Sequence, residues 1–160
     1  MQISVRTQED TLDPASLSKL QAADDPQHWE YPGDFDRQES MKRVRTVKPL
    51  LEEIAGRLLS LDDQVQDATY FAELRVAEPR EATGLKHMKV TFSLGFSCFG
   101  SLVAIYNENV ISEEKVRQMR SALESQGFVW LDWAVLREPY TGSHAGFRGS
   151  TWMDRFFNYT

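Results

Sequence analysis

The chain is expected to fold as a single α+β domain spanning residues 1–160: an antiparallel or mixed sheet of about five strands with helices packed on it. Three observations lead there. Two alternating segments, 88–96 and 101–107, lie close enough in sequence to pair as a hairpin. Apolar stripes at helical spacing precede and follow them. With 160 residues, 41% hydrophobic and 26% charged, the chain can bury roughly 70% of its unfolded surface in one core without staples.

The elements follow in order. Ile3 and Val5 alternate with polar neighbours and predict a short first strand. Asp13-Pro14 reads as an N-cap and first helical position, opening a helix to about Ala22. Residues 23–37 carry Pro26, Pro32, Gly33 and five acids, a long loop whose three aromatics imply anchoring. Met41, Val44, Val47, Leu51, Ile54, Leu58 and Leu61 recur at three- and four-residue steps as one helical stripe. Pro49 should kink or split that helix, and Gly56 should weaken its second half by about 1 kcal/mol relative to alanine.

Residues 68–77 alternate through Tyr70, Ala72, Leu74 and Val76 against Glu73 and Arg75, the pattern of a half-exposed strand. Met88, Val90, Phe92, Leu94 and Phe96 form the next strand, which returns through Ser101–Asn107. Ser112 followed by Glu113 and Glu114 opens a helix with inward Val116, Met119 and Leu123, and Gly127 sits just past its end. Phe128–Leu136 is apolar on both alternating faces and reads as a central, doubly covered strand. Thr151 with Asp154 resembles a capping box for a last short helix through about Asn158.

Charge divides the chain unevenly. Residues 1–39 hold nine acids and three bases, the whole net charge of −6, whereas residues 40–160 hold 15 of each. An acidic bias of this kind disfavours nucleic-acid binding, which needs a basic face. The basic cluster Lys42, Arg43, Arg45 and Lys48 reads as one solvated helix face, or as a neutraliser of the preceding loop. The N-terminus lacks an apolar leader and no apolar stretch approaches membrane-spanning length, so a cytoplasmic protein with no membrane partner is expected. Cys98 is the one cysteine, which rules out an internal disulfide and reads as a small buried apolar residue. No cofactor and no metal site are expected.

Two segments are candidates for function. The first is the acidic, aromatic loop, with Asp24, Asp25, Trp29, Glu30, Tyr31, Asp34 and Asp36 as a docking surface for a basic protein partner. The structural alternative is a loop folded over the core as an internal latch, and the outward or inward orientation of Trp29 and Tyr31 decides between them. The second candidate lies in the C-terminal block 128–160, which holds nine of the 18 aromatics. There Arg148, His144 and Ser150, in a glycine-rich loop before a helix, form an alternative anion site. His144, Ser143 and Asp132 form an alternative acid–base and nucleophilic set. Asp132 also reads as a buried carboxylate paired with Arg137, Arg148 or Arg155.

The leading reading is therefore a non-enzymatic interaction or inhibitor protein. In size and charge, without a shared motif, the chain is similar in habit to the toxin-neutralising immunity proteins of bacteria. The alternative is a small enzyme or anionic-ligand-binding protein using loop 140–150.

Overall fold

A computed structural model describes residues 14–77, 90–106 and 111–158. Within these residues the fold is α+β, as the sequence predicts. Helices α1 (Pro14–Ala23) and α2 (Arg37–Ala55) precede strands β1 (Ser60–Asp62), β2 (Tyr70–Ala77), β3 (Val90–Ser97) and β4 (Leu102–Tyr106). Helix α3 (Glu113–Ser125), strand β5 (Val129–Leu131), and the short helices α4 (Trp133–Leu136) and α5 (Trp152–Phe156) complete it. The expected strand at Ile3 and Val5 lies outside the described residues.

The sheet runs β1-β2-β3-β4-β5. Its first four strands pair antiparallel and β5 joins β4 in parallel, with α3 as the crossover. Register separates two faces, because successive side chains point to opposite sides. Leu61, Leu74, Leu94 and Ile105 pair across one face. Glu73, Gly95 and Ala104, with Arg75, Ser93 and Tyr106, pair across the other. Phe96 of the apolar face meets Phe128 at 5.2 Å between ring centroids, and Arg43 of α2 lies over that Phe128 ring. Helix α2 buries Met41, Val44, Val47 and Leu51, and α3 buries Met119, Ala122 and Leu123. On the polar face, Gly95 leaves room for the Tyr106 ring and for Phe157.

Local chemistry sets the ends of the helices. Asp36 caps α2 by accepting from the Glu39 N–H at 3.0 Å, and Ser112 caps α3 by accepting from the Lys115 N–H at 3.2 Å. Thr151 and Asp154 form the expected reciprocal capping box.

Helix α2 runs through Pro49 as a single helix, so of the expected kink or split the split does not occur; the side chain of this proline is exposed and it costs one backbone donor. Two further expectations are corrected. The helix ends at Gly56, whose φ of 77° breaks it, so Leu58 is solvent-exposed and Leu61 belongs to a strand. The segment 128–136 is not a central strand. Only Val129–Leu131 pairs, at the sheet edge, and the chain then turns into α4. Residues 133–136 bury Val135 and Leu136 from a helix, and a short apolar run of that kind fits either periodicity.

Candidate functional site

The two candidate segments come together in space, and Arg155 of α5 is the reason. Its side chain is fully buried. Nε donates to Asp24 Oδ1 at 2.7 Å, Nη1 to the Trp29 carbonyl at 3.0 Å, and Nη2 to the carbonyls of Asp25 at 2.9 Å and His28 at 2.8 Å. The guanidinium also lies over the rings of Phe99 and Phe147, 4.3 and 4.7 Å from their centroids. A buried cation is tolerated when its donors are satisfied and a carboxylate balances it. Here one side chain ties residues 24–29 to the C-terminal helix.

Asp24 is held from the other side as well. Its Oδ2 accepts from the Tyr140 hydroxyl at 2.5 Å, and that hydroxyl oxygen accepts from the His144 N–H at 2.7 Å. Burial pushes the Tyr140 phenol up to about 12, and the hydrogen bond to the Asp24 carboxylate adds to this. Glycines permit the close approach. A Cβ on Gly142 would lie 2.1 Å from Asp24 Oδ2, and one on Gly146 would lie 2.4 Å from the Trp29 ring. Trp29 rests against the 144–147 turn, with its ring centroid 4.7 Å from that of Phe147 and 5.4 Å from that of His144.

The loop is thus both latched and presented. Asp24, one of the expected docking residues, faces inward: its side chain is only 6% exposed and pairs with Arg155. Trp29 stays 45% exposed and Tyr31 50% exposed. Tyr31 packs on Phe35, which packs on the core residue Phe71. Asp34 and Asp36 are exposed and Glu30 is half-buried. Asp25 holds the His28 Nδ1 at 2.7 Å and accepts from the Gln27 N–H at 2.9 Å. That backbone hydrogen bond, followed by His28, lowers its carboxyl below the usual range. In the basic start of α2, Arg43 bonds Ser101 Oγ, Arg45 pairs with Asp63, and Lys48 pairs with Glu52.

The C-terminal candidates are dispersed by comparison. His144 Nδ1 accepts from the Gly146 N–H at 3.0 Å. Asp132 is exposed and accepts from the Trp130 indole at 3.2 Å. The expected Asp132–arginine ion pair is therefore corrected, because the polypeptide turns outward at Asp132 and Arg155 is committed to Asp24. No hydrogen bond joins Asp132, Ser143 and His144 among the described residues. Arg148 is exposed, and Ser150 is held through its backbone to Phe147 and Tyr140. No three metal-ligating side chains gather among the described residues, and no described helix is long and apolar enough to cross a membrane. Cys98 is buried, and burial pushes its thiol up to about 12.

Arg155 is the functional-site residue that the sequence pattern did not single out as the organiser of the loop. Its signal was a lone cation among Trp152, Phe156 and Phe157, all of them buried. Beside this geometry, comparison with protein-family models, curated proteins and solved structures finds no match to the chain.

Proposed function

We propose that the protein is a non-enzymatic interaction or inhibitor protein that docks a basic partner through the face formed by Trp29, Glu30, Tyr31, Asp34 and Asp36, with Asp25 at its edge. The observation that carries this reading is the pairing of exposure with rigidity. Trp29 and Tyr31 are about half exposed, yet the backbone beneath them is held at the carbonyls of Asp25, His28 and Trp29. A loop ordered before binding loses little conformational freedom on association. Amphipathic aromatics are favoured anchors, and surrounding carboxylates steer a basic partner and set its orientation.

The test is affinity capture from the source cells with wild-type protein and with a Glu30→Gln, Tyr31→Ser, Asp34→Asn variant, after urea unfolding shows equal stability. The expected result is a basic protein that wild type retains, that elevated salt releases, and that the variant does not hold. Retention of the same proteins by both would remove the proposal.

A further inference from the structure

We infer that the groove between α2 and α3 is covered by a second copy of this chain, in a homodimer whose two-fold axis runs parallel to the two helices. The groove has a volume of about 520 Å³. Leu50 and Ile54 of α2 line one side, and Arg117, Gln118, Ser121 and Ala122 of α3 line the other. Leu50 is 43% exposed, and Leu58, four positions past Ile54, is 81% exposed. Only helix surfaces bound the groove, so a small ligand would stay open to water, whereas ligand pockets enclose most of their occupant. Helices packed across both walls would close it.

A two-fold interface must be self-complementary, and this groove is so in shape and in charge. The helices run antiparallel: Lys115 Nζ donates to the Ala55 carbonyl at 3.4 Å, and a Cβ on Gly127 would lie 3.3 Å from Arg43 Nη2. With a rise of about 1.5 Å per residue in each helix, both contacts put Leu50 level with Arg120 and Ser121, and Glu53 level with Arg117. A two-fold axis along the helices keeps these heights and exchanges the sides, laying α2 of each copy over α3 of the other. The projecting Leu50 then meets the small side chains of Ser121 and Ala122, and Glu53 meets Arg117. Glu53 is exposed and has no ion-pair partner among the described residues. Arg117 is exposed and pairs with Glu114 of its own chain, so across the axis it gains a second carboxylate, and the contact occurs twice. The net charge of −6 resists self-association, but it resides in residues 1–39, whereas residues 40–160 hold 15 acids and 15 bases. Leu50 lies about 20 Å along α2 from Arg37, where the acidic loop joins the helix.

Sedimentation velocity of the whole protein over about 1–500 µM tests this. Wild type is expected to pass from monomer to dimer across that range. Leu50→Glu changes an exposed side chain, so at low concentration it should leave the urea midpoint unchanged while weakening the dimer roughly tenfold or more. Glu53→Arg and Arg117→Glu should each weaken the dimer, and the two together in one chain should restore it, because the exchanged charges meet again across the axis. Tyr31→Ser, on the docking face, should leave it unchanged, which keeps the dimer separate from the docking reading. A monomer throughout the range, a dimer indifferent to Leu50→Glu, or a double variant no better than either single one would overturn the inference. Loss of the dimer in Tyr31→Ser would do so as well, by moving the contact to the acidic loop.

Discussion

Arg155 and Asp24 lie 131 positions apart and meet at 2.7 Å, with the guanidinium wholly buried and the carboxylate nearly so. This pair closes the two ends of the described chain onto each other. It also divides the loop in two: the same segment carries an internal acid, Asp24, and an outward set beginning at Trp29.

Removing the cation should expose what the pair contributes. In Arg155→Met, Asp24 keeps its buried position without a counter-charge and three backbone carbonyls lose a donor. A loss of roughly 3–5 kcal/mol is expected for breaking such a buried pair. Arg155→Lys should also destabilise, because one ammonium cannot reach four acceptors spread along residues 24–29. Urea unfolding checks both, with a lower midpoint at constant slope. A cost under about 1 kcal/mol for Arg155→Met would place this contact among ordinary surface ion pairs.

The Tyr140 phenol links the same latch to alkaline pH. Its folded value is raised to about 12 by burial and by the hydrogen bond to Asp24, above the ordinary tyrosine value of about 10. A raised folded value means that the stabilisation is fully present below about pH 10 and is lost as pH rises toward 12. Thermal midpoints should fall across that window in wild type. Tyr140→Phe should be less stable at neutral pH and show a shallower alkaline decline. Identical alkaline slopes in the two proteins would show that the phenol does not carry the effect.

How legible this was from sequence depends on the range of each interaction. The α2 stripe from Met41 to Leu51, the Ser112 cap and the Thr151–Asp154 box rest on neighbours within one or two turns, and periodicity or spacing reveals them. Phe128–Leu136 misled because nine mostly apolar residues satisfy strand and helix periods alike, and Asp132 marks the turn only in retrospect. The Arg155 latch stayed hidden for another reason. Three of its four acceptors are backbone carbonyls, which have no residue-type signature, and the fourth is 131 positions away. Loop 24–36 stood out by charge, yet charge could not separate Asp24, turned inward, from Asp34 and Asp36, turned outward.

Cys98 offers a clean reporter of global opening. Its side chain is buried and its thiol is raised to about 12 by burial, while only the thiolate reacts readily. At pH 8 a thiol reagent should label the folded protein negligibly and label it stoichiometrically in denaturing urea. The native labelling rate should rise in Arg155→Met in step with its loss of stability. Rapid labelling of the native wild type would instead place the thiol in contact with solvent.

The contact between Trp29 and Gly146 lends itself to a double-mutant cycle. A methyl on Gly146 would sit 2.4 Å from the Trp29 ring and 3.1 Å from His144, closer than packed atoms allow. Gly146→Ala should therefore cost roughly 1–3 kcal/mol by overpacking. Trp29→Ala removes the obstructing ring, so the double variant should be more stable than the sum of the two single losses predicts. The expected coupling is roughly 0.5–3 kcal/mol, read from urea unfolding of the four proteins. The same set separates packing from recognition. Gly146→Ala displaces the indole without deleting it, so a partner that uses Trp29 as an anchor should be lost from both single variants. A partner that relies on Tyr31 and the acids should survive Gly146→Ala. Additive losses in stability would show that Trp29 does not rest on the 144–147 turn in solution, and the presented face would then have to be rebuilt around Tyr31 alone.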